Sequence, residues 1–255
     1  SYAGTFLVSV IAFIVAVRRT SPTIGIALRQ SLSPRVRGER VLNVAWPMLV
    51  QMIALPIAMS SDRLVLSHLG SLDDLTEYSL TMQMFGPALG VLTTAGMSLW
   101  PVFARARAAG TATPFSPHAM AGMFAGLAFI GGALIFALSG WLAELASGGR
   151  IELGWPILVA GGVFIIIQAV KQPYGMSLTD ARGLTFQALC ALVLLPVNLG
   201  LTIALTPALG APGPLVGSIV AVVVCQLVPN ILLVRHRAQR TAPVGETLET
   251  GHRHE

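Results

Sequence analysis

Lysine occurs once in this sequence of 255 residues, cysteine twice, and charged residues of either sign make up only 11% of it. Soluble domains carry about 25% charged residues, and a surface this poor in charge could not stay dispersed in water. The shortage excludes a soluble enzyme, a disordered tail and a coiled coil. The two cysteines, Cys190 and Cys225, each sit inside an apolar run. They read as small buried hydrophobes, since a secreted disulfide framework needs more cysteines in polar loops. No stretch alternates in and out with a period of two, which removes a transmembrane barrel.

What the sequence does have is hydrocarbon: 54% of residues are hydrophobic and the mean hydropathy is +0.75. The fold class expected is all-α, a polytopic transmembrane helix bundle. Its 26 glycines and 16 prolines are tolerated there, because neighbouring helices satisfy freed backbone groups. Stretches without Asp, Glu, Lys or Arg run over 1–17, 41–61, 78–104, 108–143, 153–170 and 183–234. A helix needs about 20 apolar residues to cross the bilayer, so the last stretch holds two spans. It divides at Thr206–Pro214, where proline and glycine make a turn. Seven spans are predicted, the first partial. The organisation expected is a first span over 1–17, a basic linker over 18–40, a bundle of six helices over 41–235 and a flexible tail over 236–255. The chain opens at Ser1 and is apolar by Phe6, so it reads as a piece of a longer protein. A signal peptide is a poor reading of 1–17, because the basic residues follow the apolar run.

Fourteen of the sixteen basic residues fall on one side of an alternating topology, and only Arg63 and Arg150 on the other. The positive-inside rule places the linker and the C-terminus in the cytoplasm. That placement also explains the net charge of +5 without nucleic acid as a partner. The segment 20–40 reads as an amphipathic stretch held by arginines on anionic lipid. A retinal-binding lysine is missing from the last span. The outward turns are too short for a catalytic domain, and no histidine stands in a span to activate Ser98 of Gly96-Met97-Ser98-Leu99. No enzyme and no cofactor are expected. His252-Arg253-His254-Glu255 reads as a solvated tail rather than a metal site.

Charge inside hydrocarbon is costly and therefore informative. Asp62 and Arg63 stand at the outer end of the second span, with the apolar Leu64-Val65-Leu66 after them. Two readings stand. The pair lines a hydrated cavity, with Arg63 attracting an anionic headgroup and Asp62 taking part in ion or proton coupling, or both side chains snorkel and end the span. Lys171 near the cytoplasmic end of the fifth span is ambiguous in the same way. Gln51 lies eleven residues before Asp62, about 20° from the same helical face. Asn198 follows Gln187 at the same interval, with Thr202 and Thr206 continuing its stripe. Gln226 with Asn230 and Gln168 with Gln172 add further polar pairs. Such stripes suit either a hydrated path or interhelical hydrogen bonds. Gly86-x-x-x-Gly90, Gly122-x-x-x-Gly126 and Gly213-x-x-x-Gly217 permit close helix contact. Pro47, Pro56, Pro87, Pro173, Pro196 and Pro229 invite kinks, as in transporters that rock between two states.

The order of features carries a resemblance. A helix ends in Asp62, an apolar strip leads to Leu69-Gly70, and Tyr78 opens the next helix after a short acidic turn. That helix ends at Leu99-Trp100-Pro101 with Arg105 and Arg107 beyond, and Pro207-Ala208-Leu209-Gly210-Ala211-Pro212-Gly213 separates the last two spans. Over roughly 41–235 this resembles the second half of the polysaccharide transporters, the O-antigen or lipid-linked oligosaccharide flippases of the multidrug/oligosaccharidyl-lipid/polysaccharide superfamily. The resemblance implies two six-helix bundles facing across a cavity, with the first bundle missing here apart from one helix. It implies movement of a polyprenyl-pyrophosphate-linked oligosaccharide across the bacterial cytoplasmic membrane for surface polysaccharide, without ATP hydrolysis and with a proton or sodium ion as coupling ion. Asp62 matches the family's helix-ending aspartate, whereas Arg63, Lys171, Gln51 and Asn198 are cavity candidates from spacing alone. A drug or metabolite antiporter, a non-transporting scaffold and a cell-envelope polymerase or ligase are the alternatives.

Overall fold

The computed structural model describes residues 9–15, 18, 42–111, 113, 115–148 and 153–241. The chain divides into two units, Ser1–Leu42 and Asn43–Glu255. Of the first unit, 9–15 is described as helix; the rest of the expected first span, the linker beyond residue 18 and the tail beyond 241 lie outside the described residues.

The second unit consists, among its described residues, of helices: α1 (Leu42–Leu69), α2 (Leu72–Met97), α3 (Leu99–Ala109), α4 (Pro117–Ala137), α5 (Ser139–Ser147), α6 (Trp155–Ser177), α7 (Ala181–Leu209), α8 (Pro212–Val222) and α9 (Val228–Thr241), with a π-helical turn at Val223–Leu227 joining the last two. Six stretches are long and apolar enough to cross a membrane: Ala45–Leu69, Leu72–Ala109, Pro117–Ala137, Trp155–Ser177, Ala181–Leu209 and Pro212–Gln239. This is a multi-pass membrane protein. Large apolar side chains such as Met52, Val91, Phe129 and Ile130 are exposed, as hydrocarbon contact requires. All four tryptophans are exposed, Trp46 and Trp100 toward one end and Trp141 and Trp155 toward the other, matching the aromatic belts of membrane interfaces.

Several boundaries differ from the sequence reading. The charge-free stretch 108–143 holds one span, shorter than the stretch: α3 ends at Ala109, the span is Pro117–Ala137, and α4 is followed by the separate short helix α5. Asp62 does not end its helix, since α1 runs on to Leu69. Tyr78 lies in the second turn of α2, and Leu99-Trp100-Pro101 opens α3. There Pro101 has no N–H to offer the carbonyl four residues back, which accounts for the break at Ser98. The turn expected at Thr206–Pro214 narrows to Gly210-Ala211, with Thr206 and Pro207 inside α7 and Pro212 at the start of α8. Pro229 has the same missing donor after the π turn, where Val228 N–H reaches back five residues to Val223 O.

α6 is the central helix, with Ile157, Phe164, Ile165 and Ala169 buried against α2, α4 and α8. Of the three glycine pairs, only Gly213 and Gly217 touch another backbone: a Cβ there would stand 2.8 Å from Thr206 Cα and 3.1 Å from Thr202 N. Gly86, Gly90, Gly122 and Gly126 face no atom within 4 Å. The close approach is therefore between α8 and α7, and it brings Ser218 against α7.

Polar ties close both ends. At one end Ser71 and Asp74 form a capping box at the start of α2, and Asp74 Oδ1 accepts the Ala211 N–H at 2.9 Å. Gly210, at φ 63°, leaves the space that Asp74 enters; a Cβ would lie 2.6 Å from Oδ1. Glu77 Oε1 accepts the Gly154 N–H at 2.7 Å. At the other end Arg107 of α3 donates to Ser177 O and Thr179 Oγ1, both at 2.7 Å. Asp180 caps α7 by accepting the Gly183 N–H and pairs with Arg237 of α9 at 2.6 Å. Residues 236–241, expected in the tail, thus continue α9.

Burial pushes the Asp180 carboxyl up, but the hydrogen bonds and charge of Arg237 and the Gly183 N–H outweigh it and hold it below the usual range. A lowered folded value means that the tie contributes fully above the ordinary aspartate value of about 3.9 and is lost as pH falls through the folded one. In detergent, the difference in thermal midpoint between the natural protein and Asp180→Asn is expected to be constant at neutral and mildly acidic pH and to close below about pH 4. A difference that persists unchanged at pH 2 would contradict the assignment.

Candidate functional site

Asp62 is 2% exposed, deep in a helix surface otherwise given to apolar packing. A carboxylate there needs donors, and three other helices supply them. From α7, Asn198 Nδ2 donates to Oδ1 at 3.1 Å and Thr202 Oγ1 at 3.0 Å. From α8, Ser218 Oγ donates to Oδ2 at 2.8 Å, and from α2 the Tyr78 hydroxyl reaches Oδ2 at 3.5 Å. Asn198 also reaches the Ala58 carbonyl of α1 at 3.4 Å. Among the described residues, every hydrogen bond from α1 to another helix runs through Asp62 or Ala58 O. Helical spacing explains the α7 side, since residues i and i+4 share a face and Asn198, Thr202 and Thr206 are all buried. Thr206 continues the stripe without touching Asp62, donating to Thr202 O at 2.6 Å.

A second polar group lies about 16 Å away along α1, the rise of the eleven residues from Asp62 back to Gln51. Here a cavity of about 250 Å³ is lined by Gln51, Thr93, Lys171, Gln187, Gln226 and Asn230, among others. The Lys171 ammonium, half-buried in α6, donates to Gln226 Oε1 at 2.9 Å in the π turn. Asn230 is 3% exposed, and its Oδ1 meets no hydrogen-bond partner among the described residues. Gln187 Nε2 donates to Gly175 O and Leu178 O, securing the end of α6. Among the described residues, Gln51 donates only to Pro47 O of its own helix, at 3.4 Å. Between the two polar levels lies an apolar layer of Ala58, Leu194, Ala221, Val222 and Cys225.

The five residues singled out in the sequence therefore fall in three places. Asp62 and Asn198 meet in the buried cluster, and Gln51 and Lys171 line the cavity. Arg63 is exposed and, among the described residues, hydrogen-bonds in neither, because successive helical residues point about 100° apart and Asp62 already faces inward. Ser218 and Tyr78 were not anticipated. The signal for Ser218 was its place beside Gly217, on the small-residue face that fits against α7. Among the described residues, no group of three or more His, Cys, Asp or Glu could hold a metal ion; His252-Arg253-His254-Glu255 lies outside them. Compared with protein-family models, curated proteins and solved structures, the chain matches none.

Removing one donor from a buried carboxylate costs about 1.5–3 kcal/mol. Thr202→Val, which keeps the shape and deletes the hydroxyl, is expected to destabilise the protein by about that amount. Thr94→Val, at an exposed hydroxyl that bonds only Gly90 O of its own helix, should stay within about 0.5 kcal/mol. Thermal unfolding of the detergent-purified variants makes the comparison, and equal effects would contradict the role given to the Asp62 cluster.

Proposed function

We propose that this chain is one bundle of a membrane transporter, and that its passenger is a polyprenyl-pyrophosphate-linked oligosaccharide moved between the leaflets of a bacterial cytoplasmic membrane for surface polysaccharide. The observation that carries the reading is Lys171. It is an ammonium within a span, opposed by no carboxylate among the described residues, hydrogen-bonded to one amide oxygen and bordering a polar cavity. Lysine is costly inside hydrocarbon unless it meets water or an anion. An ammonium has three donors, so beyond Gln226 it has capacity for phosphate oxygens. Amide groups at Gln51, Gln172, Gln226 and Asn230 suit the hydroxyls of a sugar next to it.

A cavity of about 250 Å³ is smaller than the roughly 300–1,000 Å³ of pockets that enclose a whole small molecule. It has room for a headgroup, and the reading takes it as one wall of a larger site whose other wall is an N-terminal bundle of the same protein. Helices interrupted at Ser98 and at the π turn support a bundle that changes shape. In this reading the end bearing Arg107, Arg182 and Arg237 faces the cytoplasm, with the C-terminus. The superfamily's drug or metabolite antiporters are the second reading, favoured by the buried Asp62 carboxylate, whose hydrogen-bond donors among the described residues are all uncharged.

The test is Lys171→Met against Lys171→Arg in the intact protein, with surface glycan as the readout and membrane abundance as the control. Lys171→Met is expected to lower export at least tenfold at equal abundance, and Lys171→Arg to retain most of it. Normal export by Lys171→Met would overturn the passenger assignment. Unchanged glycan in the deletion strain with altered resistance to cationic drugs would favour the antiporter.

A further inference from the structure

At the end of the bundle that bears Arg107 and Arg237, donors gather around Tyr174 and meet no acceptor. Tyr174 lies in the last turn of α6 and is 7% exposed. It packs in a small apolar cluster with Ala121 of α4 and with Ile231 and Val234 of α9. A phenol seated this deeply is ordinarily hydrogen-bonded. Among the described residues, however, the one side chain bonded to Tyr174 is Ser177, whose Oγ donates to the Tyr174 backbone carbonyl, and the phenol itself has no partner. The His118 ring of α4 rests against it, with centroids 5.5 Å apart and planes at 60°. Arg235 of α9 stands near enough for its charge to act on the phenol oxygen. The hydroxyl is therefore aimed at the surface where α4 and α9 flank α6.

The amino end of α4 adds to these donors. Ser116 Oγ accepts the Ala119 N–H and Pro117 has no N–H, so the His118 N–H stands at the head of a helix of 21 residues. The helix dipole favours an anion there. No carboxylate takes these donors: Asp180, the one described acid at this end, is held by Arg237 and the Gly183 N–H. A guanidinium, a phenol, an imidazole N–H and a backbone N–H suit the non-bridging oxygens of a phosphate.

We propose that Tyr174, His118 and Arg235, with the amino end of α4, bind the phosphodiester of an anionic phospholipid. The proposal does not rest on the transporter reading. Its three residues stand within about a turn of the ends of the membrane-length helices Pro117–Ala137, Trp155–Ser177 and Pro212–Gln239, the level at which lipid headgroups lie. Apolar surface leads from them into the bilayer. Leu232 and Val228 precede Arg235 by one and two turns of α9, and Met123 and Leu127 are exposed on the turns of α4 that follow His118. A free phosphate has no use for that surface, whereas acyl chains cover it. The charges also select among headgroups. An ammonium carried by the lipid itself would sit beside Arg235 with no carboxylate to receive it, so phosphatidylglycerol is preferred to phosphatidylethanolamine.

The experiment is native mass spectrometry of the intact, delipidated protein, titrated with phosphatidylglycerol or phosphatidylethanolamine of the same acyl chains. Phosphatidylglycerol is expected to bind more tightly. Tyr174→Phe keeps the ring and deletes the hydroxyl, and it should weaken the tightest-bound phosphatidylglycerol at least about fivefold. Arg235→Ala should do the same, whereas Arg105→Ala, at an exposed arginine of the same end, should stay within about twofold. Thermal midpoints check that each variant is folded. If Arg235→Ala does not fold, Tyr174→Phe against Arg105→Ala decides the site alone. Equal effects of those two reduce the binding to bulk positive charge and overturn the site. Equal affinity for the two lipids overturns the headgroup assignment. Displacement of phosphatidylglycerol by excess inorganic phosphate would give the donors to a free anion and overturn the lipid. Because the readout is binding without transport, a protein that holds the lipid and flips nothing sinks only the passenger reading.

Discussion

A carboxylate placed among hydrocarbon-facing helices dictates where its neighbours stand, and the position of α1 in this bundle follows from Asp62. The donors come from α2, α7 and α8, so four helices must converge at one level. The fit depends on small residues as much as on polar ones. Gly213 and Gly217 let α8 approach the backbone of α7, and only that approach brings the short Ser218 side chain within reach of both Asp62 and Asn198. A larger residue at either glycine would part α8 from α7 and separate the hydroxyl from its two acceptors.

The rest of the bundle arranges polar groups by depth. Asp74 and Glu77 at one end and Arg107 and Asp180 at the other satisfy backbone groups exposed at helix ends, and Arg237 pairs with Asp180. Between them stand two interior polar levels divided by an apolar layer. One level is saturated with hydrogen bonds and closed. The other has a half-buried ammonium, an amide oxygen without a partner and open volume. A purely structural bundle has no use for the second kind, because unmet polar groups in a low-dielectric interior are costly. That contrast is what gives the transporter reading its weight: one level is built to hold, and the other has capacity left for a ligand.

Much of this was legible in the sequence, for physical reasons that differ by feature. Seven spans were read from where charge is missing, because hydrocarbon excludes charge over a fixed thickness, and six membrane-length helices stand among the described residues. Asn198 and Thr202 were visible as a stripe at helical spacing, and Asp62 as an acid at the outer end of a span with an apolar strip after it. Their partnership was not visible, because nothing local in a sequence says which faces of two helices meet 136 residues apart. Ser218 carries no polar stripe of its own. Arg63 was grouped with Asp62 by adjacency, whereas helical geometry turns adjacent residues to different faces. The span within 108–143 was drawn too long, because glycine, proline and serine breaks near 110–116 and 138–140 leave no mark on a count of charges. The π turn escaped for the opposite reason: Pro229 was noted as a kink, but how a freed carbonyl is satisfied depends on the packing around it.

The central claim is that the intact protein moves a pyrophosphate-linked glycolipid across a bilayer. The most direct measurement reconstitutes it in vesicles holding a labelled polyprenyl-pyrophosphate-linked sugar and follows loss of the label to a quencher or glycosidase confined outside. The account predicts complete loss of label from protein-containing vesicles and loss of only the outer half from protein-free ones. Loss stopping at the outer half in both, with the protein verified as folded and inserted, would contradict it.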